Sequence, residues 1–204
     1  MMTIGEKIQF IKNSIEPIAD SAYGDGYRAS VYLVDGTYIP CVRFLNSKLR
    51  TEFAIKRLEE ERKGQGIFNR TLSKRYKELV QLYVTNGNSI NEYDIDRIEV
   101  SDFAFPINIL HQIRGETTMG YTGFCAKMRD GKIFGFGSRF LFYFFQMPKD
   151  YQAGDIIEII NHSYISTEGK VQKHEVPFLD WPSDYDENAV YHERPFFDCY
   201  IDGL

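Results

Sequence analysis

The side chains best equipped for chemistry sit in one short polar link, Arg114-Gly115-Glu116-Thr117-Thr118-Met119-Gly120. Within five residues it offers a guanidinium, a carboxylate and two hydroxyls, and its glycines leave the backbone free to fold around them. His162, in Asn161-His162-Ser163 at the end of an apolar strand pattern, is the histidine best placed to join them as a base or ligand. Glu116 or Asp155 would serve as its carboxylate partner. The candidate catalytic set is therefore Arg114, Glu116, Thr117, Thr118 and His162. The plainer alternative is a solvated loop whose threonines make local turn bonds, with a histidine hydrogen-bonded at a turn.

A second candidate lies in Phe134-Gly135-Phe136-Gly137-Ser138-Arg139. On a strand, both phenylalanines share one face and both glycines the other. Gly135, Gly137, Ser138 and Arg139 then form a candidate ligand or anion site, with bare backbone on the glycine face and a helix N-terminus at Ser138 to hold an anion. The structural alternative is a helix packed closely on that bare face.

Other chemistry is thinly represented. The chain has no GxxxxGK[ST] phosphate loop, no HExxH, no GxSxG and no CxxC. His111, His162, His174 and His192 show no metal-ligand spacing. Acidic groups such as Asp94 with Asp96, Asp184 with Asp186 and Glu187, and Asp155 with Glu168 do not assemble a convergent oxygen set. No metal and no cofactor is expected.

The elements that must position these residues follow from periodicity. Ile4, Ile8, Ile11, Ile15 and Ile18 make one apolar stripe, so residues 3–18 read as an amphipathic helix opened by a Thr3/Glu6 capping box. Ala29–Val34 and Thr37–Phe44 read as a hairpin across Asp35-Gly36, with Pro40 marking an edge strand or a bulge. Helices are expected over 48–63 and 72–85, a strand over 94–100, and a short helix from Pro106 to Ile113. A second hairpin, Tyr121–Met128 with Lys132–Gly137, turns at Asp130-Gly131 and feeds an apolar helix over 139–146, with Ser138 as N-cap. Strand 156–160 and a third hairpin across Glu168-Gly169 complete the body. The expected fold is α+β: a mainly antiparallel sheet built from three hairpins, with an N-terminal helix and a central helix pair. Strand–Asp-Gly–strand–helix occurs at 29–63 and again at 121–146, a pattern a diverged duplication would leave.

A chain of 204 residues with 31 aromatics can bury a substantial core. It reads as one globular domain, 1–204, with lobes 1–90 and 91–176 as the subdivision and 177–204 as an acidic extended arm packed on the body. Charge is unevenly spread: residues 43–77 carry 11 Lys/Arg against four acids, and 175–204 carry eight acids against Arg194 alone. The basic stretch makes nucleic acid a candidate partner, through Arg57, Arg62, Lys63, Lys74, Arg75 and Lys77. Three widely spaced cysteines suit a reducing cytoplasm, and no leader or membrane-spanning run is evident. Tyr121–Tyr151 holds ten aromatics and four glycines, an apolar investment that exceeds any catalytic one. The function expected is therefore cytosolic binding or assembly through protein–protein contacts, with itself or another chain. An enzyme with a dispersed site at 114–120 and His162 is the alternative, and a nucleic-acid binder is the third.

Overall fold

The structure is a computed structural model that describes residues 1–20, 24–63, 88–139, 143–174 and 181–204. Among them, three α-helices and twelve strands in mostly antiparallel sheets form a mixed α+β protein. The chain divides into two compact units. Unit one is Met1–Val100 with Phe196–Leu204, and unit two is Ser101–Pro195. The division falls after Val100, not near residue 90, because strand 95–100 pairs within unit one.

In unit one, helix α1 (Ile4–Ser14) starts where the capping box requires. The Thr3 hydroxyl accepts from Glu6 N at 3.3 Å, and the Glu6 carboxylate takes Thr3 N at 2.7 Å. It stops at Ser14, short of residue 18, because a proline disfavours helical backbone in the residue before it. Pro17 instead opens β1 (Pro17–Asp20). Strands β2 (Gly24–Leu33) and β3 (Tyr38–Asn46) pair antiparallel across Asp35-Gly36, and Pro40 lies opposite a register shift between Ala29 and Val31. Helix α2 (Ser47–Lys63) follows. The expected second helix, 72–85, lies outside the described residues. Strands β4 (Ser89–Ile90) and β5 (Ile95–Val100) come next, the latter on β2.

The end of the chain corrects the extended-arm expectation. Residues Phe197–Ile201 form β12, which runs parallel to and between β3 and β4. The alternation of Cys199 and Ile201 with Asp198 and Tyr200 explains it: the first two are fully buried with Ile11, Val31, Val42 and Phe44. The high acid count of the whole segment conceals this short strand.

In unit two, a single-turn helix (Ile107–Leu110) follows Pro106. Strands β6 (Thr122–Met128) and β7 (Ile133–Ser138) form a hairpin across Asp130-Gly131, β8 (Ile156–Asn161) lies antiparallel on β6, and β11 (Val190–His192) lies parallel on β7. A separate pair, β9 (Ser163–Ile165) and β10 (Val171–Lys173), completes the unit. The core is phenyl-rich: Phe105 stacks on Phe145 at 4.4 Å and Phe124 on Phe136 at 5.7 Å. The expected helix over 139–146 is not formed at its described positions. Ser138 ends β7, and Phe145 bridges Glu193 while its N–H donates to the Phe103 carbonyl at 3.0 Å. Consecutive aromatics lose side-chain freedom in a helix, and here Tyr143, Phe144 and Phe145 are all buried without one. Residues 140–142 lie outside the described set.

The two units share a plan. Unit one contains the order β5-β2-β3-β12 and unit two β8-β6-β7-β11; in each, the first two pairings are antiparallel and the last is parallel. A 3-10 turn precedes both third strands, Glu92–Asp94 before β5 and Ala153–Asp155 before β8. The turns match bond for bond: Asp35 Oδ1 takes Thr37 N at 2.9 Å and Asp130 Oδ1 takes Lys132 N at 3.0 Å. Val34 N donates to Asp94 O and Arg129 N to Asp155 O, both at 2.9 Å. The repetition therefore lies in the four-strand frame and not in the hairpin–helix pattern.

Candidate functional site

The link at 114–120 is a built loop. Asn161, the last residue of β8, accepts Arg114 N at 2.8 Å through its side-chain oxygen and donates to Gln112 O at 2.7 Å through its nitrogen. Beside it, His162 adopts φ 52°, a left-handed backbone uncommon for a side-chain-bearing residue, and its ring Nε2 lies 2.7 Å from Arg114 O. Thr117 is 1% exposed; its hydroxyl donates to Gly123 O at 3.1 Å and accepts Gly123 N at 2.9 Å. The loop closes with Thr118 paired to Tyr121, while the Glu116 carboxylate accepts Gly120 N at 3.3 Å. At its tip, Met119 is 94% exposed.

Of the five catalytic candidates, the structure brings Arg114 and His162 together, but through a main-chain carbonyl and not through reacting groups. Thr117 is committed to Gly123 on both sides of its hydroxyl. Asp155, offered as a partner for His162, stands at the opposite end of β8 from it. Two of the thiols are poor nucleophiles, because burial pushes Cys125 up to about 11 and Cys199 up to about 12.

The glycine-face site needs correcting. A side chain at Gly137 would place its first carbon 1.8 Å from the Tyr121 hydroxyl oxygen, so the Tyr121 ring already covers that backbone. Gly135 is covered by Ile165 and by the Ala189 carbonyl. The anion-binding geometry at Ser138 and Arg139 exists, but the chain fills it: the Ser138 hydroxyl donates to Glu193 Oε1, and Arg139 N donates to the same oxygen at 2.6 Å. Among the described residues no helix begins at Ser138, which ends a strand.

What remains open is a cleft of 270 Å³ between the loop and the end of β7. Glu116, Gly120 and Tyr121 line it from the loop side, and Ser138 and Arg139 from the strand side. Two separately expected candidates thus meet in one place. Tyr121 is its pivot. Burial and the Tyr185 hydroxyl, 3.2 Å away, raise its pKa well above the ordinary tyrosine value, so it stays a neutral phenol. Trp181, 46% exposed, packs edge-on against Tyr121 at 5.0 Å and tilts over Tyr185 at 4.7 Å. Tyr121, Asn161 and Glu193 were missed as site-builders in the sequence. Asn161, next to His162 at a strand end, carried a weak signal; Glu193, 54 residues from Arg139, carried none.

Among the basic positions, Arg57, Arg62 and Lys63 lie on α2 with side chains outside the described set, and Lys74, Arg75 and Lys77 lie outside the described residues. No described helix is long and apolar enough to cross a membrane. In comparisons with family models, curated proteins and solved structures, nothing matches this chain.

Proposed function

We propose that this chain is a binding and assembly protein, acting in the cytosol, that engages a protein partner or a second copy through the 114–121 loop of unit two. The observation that carries this reading is Met119: it is 94% exposed at the tip of a loop held by the buried Thr117 hydroxyl and by His162 on the Arg114 carbonyl. Methionine is an adaptable contact residue and is enriched in interfaces. A loop fixed in advance by Asn161, His162 and Thr117 also loses little conformational freedom on binding. The half-exposed Trp181 beside Tyr121 adds an aromatic surface of the kind that anchors interfaces. A catalytic reading of the same residues lacks support, because Thr117 spends its hydroxyl and His162 its Nε2 on the backbone. The cytosolic placement rests on three buried cysteines, none of them in a disulfide.

Native mass spectrometry on protein purified from its source tests this reading. The expected result is a stable oligomer or a stoichiometric complex with another protein. A bare monomer with no co-purifying chain contradicts it.

A further inference from the structure

The cleft between the loop and β7 carries two opposite charges that do not neutralise one another. Glu116 uses one carboxylate oxygen on Gly120 N, and it forms no ion pair among the described residues. Arg139 gives its main-chain N–H to Glu193, while its guanidinium forms no ion pair among the described residues. A second charged cleft of unit two, 470 Å³, lies beside the Asp130 turn. There Lys132 pairs with Asp130 at 3.8 Å, and the Tyr151 hydroxyl donates to the same carboxylate at 2.6 Å. In the 270 Å³ cleft Glu116 lies on the loop wall and Arg139 at the strand end, with no ion pair between them among the described residues.

We propose that the cleft binds a small zwitterion of the α-amino-acid class, with its ammonium on Glu116 and its carboxylate on Arg139. A simple anion would meet Glu116 as well as Arg139, and a simple cation would meet Arg139 as well as Glu116. A ligand carrying both charges on one short frame turns both encounters into attraction, and hydrogen bonds between ionised groups are the strong ones. Size agrees: pockets for drug-sized ligands start at about 300 Å³, and this cleft, at 270 Å³, suits something smaller. Glu193 is not among the residues lining the cleft, and one oxygen of its carboxylate is held by Ser138 and Arg139 N. Ile113 and the Tyr121 ring supply an apolar wall, so a ligand with an apolar side chain is favoured over a charged one. The Tyr121 phenol adds a neutral polar group that repels neither end.

The inference goes beyond the partner reading and does not depend on it, since Met119 does not line the cleft. Its test is titration calorimetry of the full chain with the standard amino acids, one at a time, at millimolar concentration. Propionate and ethylamine serve as one-charge analogues of alanine. The expected result is one-to-one binding of at least one apolar amino acid, with each one-charge analogue weaker by roughly tenfold or more. Glu116→Gln and Arg139→Gln should each weaken the amino acid by roughly tenfold while circular dichroism stays unchanged. Should either variant misfold, the analogue comparison on the unaltered protein still decides. Absence of binding by every amino acid, equal affinity for an analogue, or binding indifferent to both folded variants overturns the proposal.

Discussion

Unit one and unit two place different chemistry at the same ladder positions. In unit one, Arg28 on β2 faces Arg43 on β3, which faces Asp198 on β12. In unit two, the matching row is Gly123 on β6, Gly137 on β7 and His192 on β11. Unit one fills the row with buried charge: Arg43 clasps Asp198 through two bonds of 2.8 and 3.1 Å, with both side chains nearly sealed from solvent. Unit two leaves the row bare at Gly123 and Gly137 and lays the Tyr121 ring over Gly137. One four-strand plan therefore serves two purposes. The charged row locks the last strand of the chain into the middle of a sheet. The bare glycines make room for an aromatic whose loop carries the exposed Met119.

This contrast can be broken at each end, and the largest effect is expected in unit one. Asp198→Ala leaves the Arg43 guanidinium buried without its carboxylate, which should cost about 3–5 kcal/mol in denaturant unfolding. Replacing Arg43 and Asp198 together by leucine should recover much of that loss, since a buried ion pair and a well-packed apolar pair are often of similar worth. A double variant as unstable as the single one would show that the row does not work as a charge pair.

Gly137→Ala is the corresponding break in unit two. The added methyl would meet the Tyr121 hydroxyl oxygen at 1.8 Å and its ring carbon at 2.5 Å, so the ring must leave its seat. Overpacking of this kind typically costs about 1–3 kcal/mol. The effect should depend on Tyr121: in a Tyr121→Ala background the same substitution should cost little, a coupling that a double-mutant cycle measures directly. Additive effects would mean that Tyr121 is not what covers the glycine.

The smallest effect is a pH dependence confined to unit two. Burial, aided by the charge of nearby His162, lowers the pKa of His174 from the ordinary value of 6.5. The folded chain thus prefers the neutral ring, and on acidification the unfolded chain takes up its proton first. Stability is fully present above pH 6.5 and falls as pH drops through the lowered folded value. His174→Gln should flatten that acid limb in urea unfolding measured across the range. An unchanged limb would assign it to other groups.

Much of the frame was legible because its signals are local. Thr3 and Glu6 three residues apart set the start of α1, and Asp35-Gly36 and Asp130-Gly131 stand at turns with matching bonds. The failures came where distant partners decide. Nothing near Phe197 signals that β3 and β4 wait on either side of it, so an alternating strand passed for part of an acidic arm. Phe140 to Phe145 suggested a helix because the run is apolar almost all round, yet Phe145 finds its backbone partners on Phe103 and Glu193. At the candidate site, the loop and its residue types were readable. Its inward hydrogen bonds to Gly123 and Asn161, which turn a candidate catalyst into a candidate presenter of Met119, were not.

Sedimentation velocity of the unaltered chain and of Met119→Glu, at the same micromolar concentration and with any co-purifying partner present, tests the central claim most directly. A charge at a fully exposed side chain has no folded-state cost to confuse the result. The account predicts an assembly for the unaltered chain and its loss, or a shift of at least roughly tenfold in dissociation constant, for the variant. A monomer in both cases, or an assembly indifferent to Met119→Glu, contradicts it.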